Sequence, residues 1–127
     1  MYKQLIEQAE KYIKSLNTED NIAAQLKRML ADLMASGEAN ADAACRALLL
    51  SRRTLQRRLK TERTSFQKVL QEVRAELAVR YLSDERLKSL DIAMLLGYSN
   101  ISSFTTAFKS WYDIPPAEYR QKFLPLP

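Results

Sequence analysis

Between Ser51 and Gln67 the chain reads SRRTLQRRLKTERTSFQ, with six arginines and lysines against a single carboxylate, Glu62. These residue types suit one kind of chemistry. A guanidinium donates two parallel hydrogen bonds to a guanine edge, glutamine matches adenine, and any cation pairs with phosphate. The spacing orders them. Leu55 and Leu59 lie four residues apart, as on one face of a helix, and burying them turns Arg52, Arg53, Gln56 and Arg57 outward near the N-terminal half. Those four are the candidate base-contacting residues. Ser51, Arg58, Lys60 and Arg63 fall where phosphates would be met, which positions a protein without reading sequence.

The charge is local. Residues 1–50 sum to −1, residues 51–64 to +5 and residues 65–127 to +1, so the whole formal excess of +5 sits on this one stretch. A solvated helix face ordinarily mixes signs at i,i+4 spacing, and this one does not. A concentrated basic patch is the footprint of a polyanion binder. A rival reading is a non-enzymatic helical interaction module that docks its basic helix on an acidic protein surface. Membrane-surface and target-peptide helices need a broad apolar face, whereas Leu55 and Leu59 alone give a narrow one.

Catalysis finds no support. The chain has no histidine, the usual general base near neutral pH and the commonest metal ligand. The one cysteine, Cys45, sits on an apolar helix face without a histidine partner and reads as a small buried residue. Glu72 and Glu76, i,i+4 neighbours near Arg74 and Arg80, read as an exposed helix surface. No catalytic residue, metal site or cofactor is expected. The charged N-terminus MYKQLIEQAEKYIK is no signal peptide, and no apolar run reaches the roughly 18–20 residues of a membrane span. With one cysteine excluding an internal disulfide, a soluble protein of a reducing cytoplasm is expected.

The elements that must hold these residues are helical throughout. Leu5, Ile6, Ala9, Tyr12, Ile13 and Leu16 form one amphipathic stripe, and NTED resembles a helix stop with a new capped start. Ile22, Leu26, Met29, Leu30 and Leu33 form a second stripe ending near Gly37. A short helix follows from about Ala41 to Leu48, with Asn40 as N-cap, and Ser51 caps the basic helix. The longest helix starts at Thr64 or Ser65, with Phe66, Val69, Leu70, Val73, Leu77, Tyr81 and Leu82 on one side. Ser89 opens the next, which stops at Gly97. Another covers about Ile101 to Tyr112, with Phe104 and Phe108 inward, and Pro115 and Pro116 start a last short one.

Two segments repeat each other. AACRALLLS (Ala43 to Ser51) lies over DIAMLLGYS (Asp91 to Ser99), and each precedes a helix with apolar residues four apart. Short helix, tight turn and second helix make a helix-turn-helix unit. Cys45 and Ala93 are the small residues across which the second helix packs. Gly97 supplies a positive φ at the turn, where the first unit has the poorer turn residue Leu49. The second unit exposes Asn100, Ile101, Ser102, Thr105 and Thr106, with Lys109 as its only cation. Weaker, less selective contact is expected from it. The intervening helix, from Ser65 to Leu82, would span about 27 Å. Two major-groove segments on one face of DNA lie about 34 Å apart, so engaging both requires a bend or a tilt.

The stretches LSRRTLQRRLKTERTSFQ, EVRAELAVRYL, DIAMLLGYSNISSFTTAFKSW and IPPAEYR together make residues 22–123 resemble the DNA-binding domain of AraC/XylS-type bacterial transcription regulators. The resemblance implies an all-α fold of two helix-turn-helix subdomains on a linker helix, with residues 19–82 and 83–127 as the two halves and residues 1–18 as an added helical extension or linker. It implies adjacent major grooves of promoter DNA as the partner, an activating role, contact with RNA polymerase, and a place on the nucleoid. Carried over by position, base reading falls to Arg53, Gln56 and Arg57 in the first unit and to Ile101, Ser102 and Thr106 in the second. Thr106 and Ser110 stand where the family commonly has basic residues, which weakens the second unit. Arg63 stands near a usual glycine, suggesting a slightly different turn. Many members carry an effector-binding sensory domain ahead of this one. The expectation is therefore a C-terminal fragment, with a short member lacking that sensory domain as the alternative, and with oligomeric state and operator unspecified.

Overall fold

The computed structural model describes residues 21–124, and these form seven helices with no strand among them. The stripe from Leu5 to Leu16, the NTED stop and the added N-terminal helix lie outside the described residues. In chain order the helices are α1 (Ile22–Ala35), α2 (Ala41–Leu48), α3 (Arg52–Thr61), α4 (Phe66–Leu82), α5 (Ser89–Leu95), α6 (Ile101–Tyr112) and α7 (Pro116–Phe123).

The boundaries follow from side chains that satisfy the otherwise unpaired N–H groups of a first helical turn. Asn21, Asn40, Ser51, Ser65 and Asn100 each accept a hydrogen bond from the backbone N–H three residues on. Helix α5 opens at Ser89 as expected, with Lys88 as its cap. The Lys88 N–H donates to Asp91 Oδ2 at 2.8 Å, so the carboxylate works backwards onto the cap residue. Pro115 and Pro116 open α7 as expected, since a first-turn proline sacrifices no helical bond.

One core runs through the molecule. Ile22, Leu26, Leu30 and Met34 line the inner face of α1 and pack with Leu55 and Leu59 of α3 and Val69, Leu70 and Val73 of α4. Met29 and Leu33, expected on that stripe, are half-buried at its edges, and Met34 takes the place inside. Farther along, Ala78 and Leu82 of α4 join Ile92, Ala93 and Leu96 of α5 with Phe104 and Phe108 of α6. Phe108 also meets Trp111, Tyr112 and Tyr119 ring to ring at 4.8–6.4 Å, an aromatic cluster that seats α7. Thus α4 is shared: its N-terminal half belongs to the α1–α3 group and its C-terminal half to the α5–α7 group.

The two short-helix units share a turn. In the first, Leu50 N–H donates to Cys45 O and Leu49 N–H to Arg46 O. In the second, Tyr98 N–H donates to Ala93 O and Gly97 N–H to Met94 O. This is the Schellman closure, which needs a left-handed residue at its centre. Gly97 meets that with φ +88°, and Leu49 with φ +59°. The units differ by one residue after it. Two residues separate Leu49 from the start of α3, and three separate Gly97 from the start of α6.

Candidate nucleic-acid interface

Helix α3 is held by two side chains and presents the rest. Leu55 and Leu59 are buried, whereas Arg52, Arg53, Gln56, Arg57, Arg58 and Lys60 are all exposed. The side chains of Arg53, Gln56, Arg57, Arg58, Lys60 and Arg63 carry no ion pair or hydrogen bond among the described residues. Arg52 differs. It lies 3.6 Å from Asp42 Oδ1 in the first turn of α2, with both side chains more than half exposed. An ion pair so open to water is worth roughly 0.2–1 kcal/mol, little enough to be exchanged for a phosphate or a base.

The single carboxylate of the basic stretch is spent elsewhere. Glu62, at the end of α3, accepts Ile22 N–H on Oε2 at 2.9 Å and Ala23 N–H on Oε1 at 3.0 Å. It thereby caps the first turn of α1 and faces the positive end of that helix dipole. Two features follow. The carboxylate pins the far end of α3 to α1, and it is withdrawn from the cations it would otherwise offset. Sequence reading missed this role because the bonded pairs are 40 and 39 residues apart.

Arg63 corrects a second expectation. Its φ of +61° is the left-handed conformation that glycine adopts most readily, and Thr64 N–H closes on Leu59 O around it at 3.0 Å. The turn into α4 therefore keeps its glycine-like course. What changes is the cost, together with an added exposed cation beside α3.

Ser51 and Asn100 serve first as caps. The Ser51 hydroxyl donates to Thr54 Oγ1 at 3.0 Å and accepts Thr54 N–H, and Asn100 Oδ1 accepts Ser103 N–H. On α6, Phe104 and Phe108 are buried, Ile101, Ser102, Thr106 and Lys109 are exposed, and Thr105 is half-buried. Aligned on their buried pairs, Arg52, Arg53 and Arg57 of α3 correspond to Ile101, Ser102 and Thr106 of α6. The same shape is thus presented twice, once with cations and once with short polar or apolar groups. Glu72 and Glu76 are exposed as expected, but their partner is Lys27 of α1, at 3.9 and 2.7 Å, rather than Arg74 or Arg80.

Three side chains from the far end of the chain or from α4 hold the second unit in place. Arg120 of α7 donates to the carbonyls of Leu82, Asp84 and Leu87 at 2.8–3.2 Å, fixing the segment between α4 and α5. Tyr112 Oη donates to Ala75 O at 2.7 Å. Arg74 Nε donates to Leu96 O at 2.9 Å, and its guanidinium lies 4.7 Å from the Tyr98 ring centre. Burial raises the pKa of Tyr98, with Arg74 pulling the other way, and burial also raises that of Tyr112, helped by Tyr119 and Glu76. No group of three or more histidine, cysteine, aspartate or glutamate residues that could hold a metal occurs among the described residues.

Residues 44–122 match a family model described as a helix-turn-helix domain. The ornithine utilization regulator of Pseudomonas aeruginosa is 34% identical over 116 residues, which cover 91% of this chain and 34% of that protein's length. The C-terminal domain of AraT, a response regulator from Geobacillus stearothermophilus, superposes with a TM-score of 0.69 at 27% identity, covering 83% of this chain and 88% of that one. A DNA-binding transcriptional dual regulator of Escherichia coli K-12 shares the fold, with a TM-score of 0.74 over 80% of this chain and 97% of that one, at 24% identity.

Proposed function

The chain belongs to the AraC-type helix-turn-helix family, and from that premise we propose that it is the DNA-binding part of a transcription regulator, reading promoter DNA with α3 and α6. The observation that carries this reading is α3 itself. Leu55 and Leu59 seat it, Glu62 is drawn away to α1, and Arg53, Gln56 and Arg57 stand free on its outer side. An α-helix so furnished fits the B-DNA major groove, where each bidentate contact contributes roughly 1–3 kcal/mol of discrimination.

In this proposal Arg52, Arg53, Gln56 and Arg57 meet bases, while Ser51, Arg58, Lys60, Arg63 and Lys109 meet phosphates. On α6, Ile101 and Ser102 at the N-terminal end make the methyl and single hydrogen-bond contacts, with Asn100, Thr105 and Thr106 beside them. Residues 19–82 and 83–127 act as the two subdomains. Helix α4 has 17 residues, about 25 Å at 1.5 Å each, short of the roughly 34 Å between successive grooves. Engaging both grooves therefore takes a tilt of one unit or a bend in the DNA, the bend costing on the order of 1–6 kcal/mol that the cations of α3 offset. Activation through RNA polymerase, and effector control by another domain, extend the same proposal to the whole regulator.

Salt dependence and substitution test it together. Log affinity should fall by about 0.9 per neutralised phosphate against log salt. Arg53→Ala and Arg57→Ala should lose preference among sequences, and Arg58→Ala should weaken every sequence alike with a shallower salt slope. Equal losses on all sequences for all three variants would refute the assignment of roles.

A further inference from the structure

Arg74 lies on the linker helix, away from α3 and outside the exposed face of α6, yet three consecutive residues of the second unit's turn converge on it. Its Nε donates to Leu96 O at 2.9 Å. A Cβ placed on Gly97 would meet its guanidinium at 3.3 Å, and the Tyr98 ring lies 4.7 Å beneath it. Those residues connect α5 to α6, so Arg74 holds the N-terminal end of α6 against α4, while Tyr112, bonded to Ala75 O, holds its C-terminal end. Between the C-terminal end of α1 and this turn runs an open cleft of about 530 Å³, with Met34, Gly37 and Asn40 on one wall and Met94 and Leu95 on the other, and Arg74 lines it. Residues of both units line that cleft, and Arg74 of α4 lies between them.

We propose that Arg74 is a positioning residue that fixes the angle and separation of α6 relative to α3, and so sets the spacing between two DNA half-sites that the protein accepts. The proposal rests on reading α3 and α6 as the groove-entering helices. Its physical basis is the planarity of the guanidinium, which can donate in-plane to a carbonyl while stacking on an aromatic face. Lysine reproduces the charge without the plane, and glutamine can donate but cannot stack as a cation. Each base pair inserted between half-sites moves the second groove by about 3.4 Å and rotates it by about 35°. A clamped α6 cannot follow such a displacement, and a loosened one can.

The test has two arms on Arg74→Gln and Arg74→Lys. In the first, spin labels at Arg46→Cys and Ser110→Cys, with Cys45→Ala, report the distance between units in the absence of DNA. Both positions are exposed, on α2 and α6. The wild type should give one narrow distribution, and both variants a clearly broader one at unchanged helical content. In the second, affinity is measured on a selected two-block site, on its first block alone, and on versions with one or two base pairs inserted. The wild type should lose tenfold or more per inserted pair. The variants should discriminate less than threefold while holding the first block as well as wild type. Distributions as narrow as wild type, or spacing discrimination kept intact, would overturn the role of Arg74. A wild type that binds none of the sites would instead sink the DNA-binding reading and leave the first arm to judge the clamp.

Discussion

Replacing Leu49 by glycine should make this protein more stable, although it removes a leucine. Leu49 occupies the left-handed region at φ +59°, ψ +40°, where a Cβ costs roughly 1–2 kcal/mol. Its side chain is 90% exposed, so truncation forfeits almost no burial. Against the relief stands the larger conformational freedom of glycine in the unfolded chain, roughly 0.5–1 kcal/mol. The two ranges leave a net gain of about 0–1.5 kcal/mol, and their midpoints, about 0.75 kcal/mol, raise Tm by about 3–6 °C for a domain of this size. The reverse change at the equivalent place in the second unit, Gly97→Ala, should cost stability. The backbone there stands at φ +88° and the new methyl crowds Arg74 at 3.3 Å. Thermal unfolding followed by far-UV circular dichroism, with urea melts to fix the m-value, reads both. A Tm for Leu49→Gly at or below wild type, with m unchanged, would refute the reasoning that the two turns share one geometry and that one of them holds it under strain.

Other outcomes follow from individual contacts. Glu62→Ala should lower stability by about 1–3 kcal/mol, because two N–H groups of α1 lose a charged acceptor, with Glu62→Gln intermediate. A shift in urea midpoint measures it, and no shift would show that water caps α1 equally well. Arg120→Ala strands the carbonyls of Leu82, Asp84 and Leu87 and should cost about 2–3 kcal/mol. The single tryptophan, Trp111, lies in the same aromatic cluster and reports the loss by fluorescence. Tyr98 and Tyr112 have folded-state pKa values above the ordinary tyrosine value. Their contribution is whole below about pH 10 and is lost as pH rises through the folded values, since the unfolded chain then holds fewer protons. Stability should decline in that alkaline window, less steeply in Tyr98→Phe and Tyr112→Phe.

What the sequence makes legible here is whatever is decided locally. Asn40, Ser51 and Ser65 announce helix starts by their own hydrogen-bonding reach, and Leu55 with Leu59, or Phe104 with Phe108, announces a buried face by spacing. The outward set on α3 follows as the remainder. The parts that escape depend on distance through space. Glu62 looks like a counter-ion for its arginine neighbours until α1 is folded against it. Arg74 and Arg120 look like ordinary exposed helix cations until the carbonyls of Leu96, Leu82 and Leu87 are brought to them. Leu49 and Arg63 escape for another reason. Each occupies a left-handed position its residue type disfavours, so propensity points away from the conformation that tertiary packing imposes.

The most direct measurement of the central claim is selection of bound sequences from a random double-stranded DNA pool. Two enriched blocks about one helical turn apart are expected, the stronger one dependent on Arg53, Gln56 and Arg57 and the weaker on α6. A pool that emerges unenriched, or binding that is equally strong to every duplex and insensitive to those three side chains, would contradict it.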